Sequence, residues 1–195
     1  MILYALLGVA LWVFGTYLYW VHVERRLTIV RAPRVFHSGS MSPPRLLRLS
    51  SRLGVDTIID FRGDAEMPWV ASERRALEGA GLRHTHIPCG SSLTERELGR
   101  FVNIMREELT AGRRVLMHCK DGEGRAVAFA AIYRVEFEGW SPVSAYRATT
   151  RLPRALRFIT LLLPFACRLS HSNSKSRVIL NYVPTCHRPH VLERC

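Results

Sequence analysis

One stretch of sequence decides the fold: Val115-Leu116-Met117-His118-Cys119-Lys120-Asp121-Gly122-Glu123-Gly124-Arg125-Ala126. A short apolar run leads to a cysteine, then to a turn with two glycines, and then to an arginine that opens a helix-like run. This order predicts a buried strand, a tight loop and a helix. Glycine tolerates positive φ, so the loop backbone can curl and turn its N–H groups toward one point, which makes an anion-binding nest.

The chemistry of this loop favours a phosphate ligand. The helix that follows presents the positive end of its dipole to the loop. Arg125 at the helix start can hold a phosphate by two parallel hydrogen bonds. The same positive field favours the ionised form of a thiol, which predicts that Cys119 is a thiolate near neutral pH. A thiolate inside a phosphate cradle is suited to phosphoryl transfer through a covalent phosphocysteine.

The pattern of His118, Cys119, five further residues and Arg125 resembles the signature loop of the cysteine-based protein tyrosine phosphatases, in their compact dual-specificity-like branch. Four more pieces of the chain are similar to landmarks of the bacterial members of that branch: Phe36-His37-Ser38-Gly39, Ile59-Asp60-Phe61-Arg62-Gly63, His86-Ile87-Pro88 and Gly139-Trp140-Ser141-Pro142. Two other interpretations stay open. One is a buried structural cysteine beside a glycine-rich turn, and the other is a rhodanese-like sulfur carrier.

The resemblance implies a role for each residue of the loop. Cys119 is the expected nucleophile, Arg125 the phosphate clamp, and His118 the residue that orders the loop and supports the ionised thiol. The phosphate oxygens are expected to be held by the loop and its backbone amides: Lys120, Asp121, Gly122, Glu123, Gly124 and Arg125. Lys120 either favours polyanionic substrates such as phosphoinositides or is simply solvated.

Two departures from the family's pattern concern turnover. The family has a serine or threonine directly after the signature arginine, which helps to hydrolyse the phosphocysteine, and this chain has Ala126. The family's general acid is an aspartate on a loop that corresponds here to residues 88–92, which hold no carboxylate. Asp121 is the first choice for a replacement catalytic acid. The other carboxylates that we consider are Glu123, Glu95, Asp60 and Asp64.

The rest of the pattern predicts an α/β fold with a mostly parallel central sheet flanked by helices, because strand-like and helix-like segments alternate. Strands are expected at residues 34–38, 55–61, 82–88 and 114–118. Helices are expected at residues 42–53, 69–79, 94–109, 126–137 and 141–150. Ser42, Thr94 and Ser141 are placed as helix caps, and Glu97 stands at the capping-box position of the third helix. The phosphatase-like domain therefore spans residues 34–150.

Residues 2–23 are almost wholly apolar and long enough for a helix that crosses a bilayer. Four arginines follow closely, namely Arg25, Arg26, Arg31 and Arg34. The positive-inside rule then predicts a single-pass membrane protein with a cytoplasmic catalytic domain. A basic leader and a small-residue cleavage site are not evident, which favours an uncleaved transmembrane anchor over a signal peptide. Residues 24–33 are interpreted as a basic linker that contacts anionic headgroups.

After the domain, residues 151–169 are predicted to be an amphipathic or membrane-surface segment and residues 170–195 a disordered tail. The net charge of +12 comes almost entirely from scattered arginines, and no nucleic-acid-binding pattern accompanies it, so no nucleic acid is expected as a partner. Five cysteines without a Cys-x-x-Cys pair indicate neither zinc nor a disulfide framework. We expect no metal and no cofactor.

These observations predict a membrane-anchored phosphatase that hydrolyses phosphomonoesters through a phosphocysteine. Its expected partners are a phosphorylated protein (phosphotyrosine or phosphoserine/threonine) or a phosphoinositide, and the membrane through the N-terminal helix. The alternative is a catalytically weak pseudophosphatase that binds phosphorylated partners at the membrane. Ala126 and the missing acid motivate that alternative.

Overall fold

A five-stranded sheet forms the centre of the computed structural model, which describes residues 2–63, 67–149, 152, 156 and 173–185. The strands are β1 (Thr28–Arg31), β2 (Val35–Gly39), β3 (Thr57–Asp60), β4 (Arg83–His86) and β5 (Val115–Cys119). Their spatial order is β1-β2-β5-β3-β4. The edge strand β1 pairs antiparallel with β2, and the other three pairings are parallel. The predicted α/β fold with a mostly parallel sheet is therefore confirmed.

Seven α-helices accompany the sheet within the described residues. They are α1 (Ile2–Leu18), α2 (Pro43–Leu53), α3 (Pro68–Gly79), α4 (Glu95–Thr110), α5 (Arg125–Glu138), α6 (Pro142–Arg147) and α7 (Ser174–Leu180). A short π-helix (Tyr19–Val23) continues α1. The predicted domain helices are thus present, each with its ends within a few residues of the expected position.

The helices cover both faces of the sheet, since successive strand residues enter two different cores. Leu116 of β5 packs into a core with Leu46 of α2 and Leu77 of α3. Its neighbour Met117 packs into the larger core with α4 and α5. This alternation follows from the two-residue period of a strand, and it explains why β5 is buried along its whole length.

Helix caps follow the local chemistry of the chain. Thr94 and Glu97 form the predicted capping box at the start of α4. Ser141 caps α6 through its side chain. Ser42 precedes α2 in an extended conformation, but its side chain makes no cap hydrogen bond. Prolines 43 and 44 supply no N–H, and the amide of Arg45 donates instead to the backbone carbonyl of Ser42.

The N-terminal helix is long and apolar enough to cross a membrane, by length and composition, from Leu6 to Val23. A signal sequence or the core helix of a soluble protein can pass the same test. Most of its large apolar side chains are exposed: Tyr4, Leu6, Leu7, Val9, Leu11, Trp12, Phe14 and Leu18. Large exposed apolar surfaces of this kind are typical of segments that contact a membrane or a partner.

Two predicted segments differ from the structure. Residues 24–33 are not a free linker, because Thr28–Arg31 form β1 and extend the sheet. Residues 173–185 of the predicted disordered tail are ordered, because Asn173 caps α7 and Ile179 is fully buried against the domain. The short length of α7 hides its periodicity in the sequence. The predicted amphipathic segment, residues 151–169, lies outside the described residues apart from 152 and 156.

Candidate active site

The cysteine of the loop lies at the carboxyl end of the central strand. Cys119 is the last residue of β5 and pairs in register with Gly39 at the end of β2. Its side chain is a free thiol and is buried. Helix α5 begins six residues later at Arg125. Open α/β sheets bind their ligands just outside the carboxyl ends of their parallel strands, where the strands end and the helices begin.

The loop is wound tightly enough that one position requires glycine. Gly122 has φ of +72°, and a Cβ placed on it would lie 2.5 Å from the backbone nitrogen of Gly39. Gly39 is also closely approached, although less tightly, since its own Cβ would lie 3.1 Å from the carbonyl carbon and oxygen of Asp121. The backbones of β2 and the loop therefore touch directly. Ser40 adds two hydrogen bonds, from its amide and its hydroxyl, to the carbonyl of Lys120.

Arg125 is oriented by two backbone carbonyls from neighbouring strand ends. Its Nη1 donates to the carbonyl of Phe61 and to that of Cys89, both at 2.8 Å. Its Nε and Nη2 make no hydrogen bond with the described part of the chain. This edge of the guanidinium is the one that grips an anion by two parallel bonds. The side chain is thus fixed on one edge and available on the other.

The segment that leaves the N-terminal helix braces the loop from outside. Arg26 donates from Nη1 to the carbonyl of Asp121 at 3.1 Å and pairs through Nη2 with the carboxylate of Glu123. The carbonyl of Arg25 accepts from the amide of Gly39 at 2.6 Å. Both arginines have positive φ, of 51° and 57°, a conformation that costs energy outside glycine. The two arginines that follow the N-terminal helix therefore contact the loop and the end of β2.

A buried cluster of charged and polar side chains lies beside the loop. Arg62 pairs with Asp60 at 2.8 Å and with Glu73 at 2.9 Å. Nε2 of His118 lies 2.9 Å from Glu73, and Nε2 of His84 lies 3.5 Å from it. The His118 contact is close but poorly aligned for a hydrogen bond. Burial raises the pKa of Glu73, but the two histidines and Arg62 outweigh burial and lower that pKa to about 2.

The pairing within this cluster limits the roles that its carboxylates can play in metal binding or acid catalysis. Oxygen atoms of Asp60 and Glu73 and a nitrogen of His118 come within 4.8 Å of one another, a spacing that could suit a metal ion. The guanidinium of Arg62 already supplies the positive charge that both carboxylates contact. Asp60 is fully buried and accepts three hydrogen bonds from the side chain of Arg62, which argues against it as a replacement acid.

Replacing Glu73 with glutamine is expected to destabilise the fold by about 1.5–3 kcal/mol at pH 7, because Arg62 loses one of its two carboxylate partners and keeps only Asp60. The folded pKa of about 2 lies below the ordinary value of 4.5. The charge of Glu73 therefore contributes stability above pH 4.5, and that contribution is lost as the pH falls toward 2. Urea unfolding of the full chain in detergent at pH 7 and at pH 3 measures both effects.

The exposed Glu78, also on α3, provides the matched control for this prediction. Glu78→Gln is expected to change the free energy of unfolding by less than about 0.5 kcal/mol. An equal and small effect of both substitutions, or a loss from Glu73→Gln that grows toward acid pH, would contradict the charged role of Glu73.

The remaining predicted residues lie around the mouth of the loop. Asp121 and Lys120 are exposed, Glu123 is paired with Arg26, and Ala126 is fully buried in the first turn of α5. Asp64 lies outside the described residues. A cavity of about 430 Å³ opens beside the loop and is lined by Ser40, Arg62, Gly63, Trp69, Lys120 and Arg125.

The loop that would hold the family's acid carries a buried thiol instead. Burial, and next the carboxylate of Glu97, raise the pKa of Cys89 to about 12. Its Sγ donates to the carbonyl of Ile87 at 3.1 Å. The glutamate itself is engaged in the capping box with Thr94. Cys89 is therefore a neutral packed side chain near neutral pH, and its backbone carbonyl is the group that contacts Arg125.

Sequence reasoning missed Lys175 and Arg26. Lys175 of α7 lies against Gly124 of the loop, and its Nζ donates to the carbonyl of Ser91 at 2.6 Å. It stands more than fifty positions after the loop in a segment without periodicity. The one sequence signal is that the chain holds only two lysines, Lys120 and Lys175.

The chain is similar to known phosphatases in sequence and in fold. No protein-family model matches the chain. The dual specificity protein phosphatase TpbA of Pseudomonas aeruginosa strain UCBPP-PA14 is 25% identical over 131 residues, which are 66% of this chain and 56% of that protein. TpbA of strain PAO1 is 26% identical over 125 residues, which are 63% and 53% of the two chains. The chain thus spans little more than half the length of these curated relatives.

Solved structures share the fold. A crystal structure of P. aeruginosa TpbA has a TM-score of 0.53 at 22% identity, covering 83% of this chain and 94% of that one. The core catalytic domain of the PP-IP phosphatase SIW14 from S. cerevisiae has a TM-score of 0.59 at 17% identity, covering 81% and 85%. PTPMT1 in complex with PI(5)P has a TM-score of 0.60 at 17% identity, covering 79% and 92%. By sequence and by fold, the chain is a relative of the cysteine-based protein tyrosine phosphatase superfamily and resembles its bacterial dual-specificity-like branch.

Proposed function

We propose that this protein is a membrane-anchored phosphatase that hydrolyses phosphomonoesters through a phosphocysteine on Cys119. The observation that carries the proposal is the joint placement of Cys119 and Arg125. The thiol lies at the carboxyl end of β5, and the guanidinium is fixed on its Nη1 edge by Phe61 and Cys89 at 2.8 Å. Its other edge is available to a phosphate that the thiolate can attack.

In the first step the sulfur of Cys119 forms a bond to phosphorus while the ester bond to the leaving oxygen breaks. The backbone amides between Lys120 and Arg125 and the free edge of Arg125 hold the three equatorial oxygens. Phosphoryl transfer needs little else from a protein, because positioning and electrostatic stabilisation supply most of the catalysis. The close packing of Gly122 on Gly39 supports the proposal, since it holds the loop in shape before the substrate arrives.

The leaving oxygen needs a proton, and we assign its delivery to Asp121. Its side chain is exposed at the mouth of the loop, whereas Asp60 and Glu123 are each paired with an arginine. General acid catalysis is worth about 10²- to 10⁴-fold. Residues 88–92, where the family carries its general acid, hold no carboxylate, so we expect the first step to favour substrates with a good leaving group, such as aryl phosphates.

In the second step a water oxygen attacks phosphorus and passes a proton to Asp121, which the first step left ionised, while the bond from sulfur to phosphorus breaks and the thiolate returns. The hydroxyl that assists this step in the family is replaced by Ala126, which is fully buried. We therefore expect hydrolysis of the phosphocysteine to be the slow step. The same replacement by Ala126 supports the second candidate function, a pseudophosphatase that binds phosphorylated partners without efficient turnover.

The substrate class is drawn from the relatives and from the charge at the site. TpbA is a dual specificity protein phosphatase, and PTPMT1 has been crystallised with PI(5)P. Lys120, Arg62 and Arg125 line one cavity beside the loop, which suits a phosphorylated protein side chain or a phosphoinositide headgroup. The apolar N-terminal helix supports a membrane anchor, and the arginines that follow it support a domain in the cytoplasm.

Substituting Ala126 with serine is expected to increase turnover of an aryl phosphate roughly tenfold, because a hydroxyl can hydrogen-bond the departing thiolate. The full chain in detergent micelles, with reductant present, is assayed against para-nitrophenyl phosphate. Ala128→Ser, two residues further along the same buried helix, controls for the cost of a buried hydroxyl. Absence of turnover in both the parent chain and the Ala126→Ser variant would favour the pseudophosphatase, and efficient turnover by the parent chain would exclude it.

A further inference from the structure

Both lysines of the chain lie at the phosphate-binding loop. The sequence holds 28 basic lysine and arginine side chains, of which only Lys120 and Lys175 are lysines. Lys120 is part of the loop itself. Lys175 comes from α7, a helix in the segment that follows the domain, and it reaches the loop from the side of Gly124.

The position of the distal part of Lys175 is defined by its proximity to Gly124 and by one hydrogen bond. A Cβ placed on Gly124 would lie 3.4 Å from Cε of Lys175, 3.6 Å from Cδ and 4.0 Å from Nζ. The ammonium donates to the carbonyl of Ser91 at 2.6 Å. Lys175 therefore sits between the residue that precedes Arg125 and the loop in which the family carries its catalytic acid.

The packing of α7 holds this lysine in place. Ile179 is fully buried and Tyr182 is nearly so, both within the core that also contains α5. The hydroxyl of Tyr182 donates to Glu136 at 2.8 Å, and the amide of Thr185 donates to the same carboxylate at 2.9 Å. The helix is thus fixed to α5 at its far end, which makes the approach of Lys175 to the loop a property of the folded domain.

The positive charges of Lys175 and Arg125 favour a bound anion. Burial, and next the positive charge of Arg125, lower the pKa of Lys175, while Cys119 raises it. Among the described residues Lys175 has no carboxylate partner. Lys175 and Arg125 are both cations and repel each other, and an anion bound between them reduces that cost.

We propose that Lys175 is a further phosphate-binding residue, which donates from its ammonium to an oxygen of the phosphoryl group on the loop. One of its three N–H bonds is used by Ser91, and the other two can face the ligand. The ligand class is a dianionic phosphomonoester or inorganic phosphate. This inference rests on the proposed function, because it assumes that the loop binds phosphate.

Binding of inorganic phosphate to the full chain tests the inference without relying on turnover. The parent protein carries Cys119→Ser and is held in detergent micelles, and the dissociation constant is measured by calorimetry. Lys175→Met keeps the stem that packs on Gly124 but removes the charge, and Lys175→Arg restores the charge. Arg177→Met, on the same helix but directed to a cleft between α4 and α7, controls for the loss of one positive charge.

We expect Lys175→Met to weaken phosphate binding about tenfold or more, since a hydrogen bond from a charged group is lost. Lys175→Arg and Arg177→Met are expected to stay within about twofold of the parent, with the melting temperature of Lys175→Met unchanged. Failure of the parent to bind phosphate would overturn the proposed function and this inference together. Parent-like affinity of Lys175→Met overturns the inference alone, as does a loss that comes with a lower melting temperature and is not rescued by arginine.

Discussion

Replacement of Cys119 by serine is expected to lower the turnover of para-nitrophenyl phosphate by on the order of 10⁴-fold or more, to the background of the assay. A serine hydroxyl in the same loop stays protonated and is a poor nucleophile, so no covalent intermediate forms. The variant should still bind phosphate, because the glycine-dependent shape of the loop and the edge of Arg125 are unchanged. Steady-state kinetics and phosphate titration on the same preparation measure the two properties separately.

Cys89→Ser is the matched control, since Cys89 is also a buried free thiol near the site. Its pKa, raised to about 12 by burial and by Glu97, keeps it neutral, and its backbone carbonyl remains available to Arg125 in the variant. We expect this variant to keep most of its activity. Undiminished turnover in Cys119→Ser, or an equal loss in both variants, would contradict the assignment of Cys119 as the nucleophile.

Replacement of Arg125 by lysine is expected to lower kcat/KM about 10²- to 10³-fold, the usual cost of removing one preorganised donor at a transition state. The charge is kept, but lysine cannot bridge the carbonyls of Phe61 and Cys89 and also present two parallel N–H groups to phosphate. The loss should fall mainly on kcat, because charge grows on the equatorial oxygens as the transition state forms.

Arg100→Lys, at an exposed position on α4, makes the same chemical change far from the loop and should leave kcat/KM within about twofold. If Arg125→Lys retained full kcat, the guanidinium would be acting only as a charge and the fork geometry would have no catalytic role. A fall in both variants would indicate damage to the fold, and melting temperatures identify that case.

Most strands and helices of the domain are predictable from local sequence patterns. The β-branched run at the third strand, the capping box of Thr94 and Glu97, and the apolar periodicity of α4 are signals within a few residues of one another, so the sequence alone predicted those elements. The strand, loop and helix around Cys119 were predicted for the same reason, and Gly122 does adopt positive φ.

Long-range contacts were not predictable in this way. Arg26 reaches Asp121 across 95 positions, in a backbone conformation that nothing in its neighbours requires. Lys175 reaches Ser91 across 84 positions from a helix of seven residues. Both contacts exist because β1 and α7 pack onto the domain, and a run of basic residues or a short polar segment does not reveal such packing. The contacts that the sequence did not predict are therefore those by which Arg26 and Lys175 support the loop from other parts of the chain.

The most direct test of the central claim is to look for the phosphocysteine. The full chain is mixed with an aryl phosphate at neutral pH under reducing conditions, quenched in acid during turnover, digested, and analysed by mass spectrometry of the peptide that contains Cys119. Because Ala126 leaves the second step without its hydroxyl, we predict that this peptide carries one phosphoryl group, that its amount falls in Ala126→Ser, and that it is absent in Cys119→Ser. Turnover without phosphate on this peptide at any quench time, or phosphate on a different residue, would contradict the account.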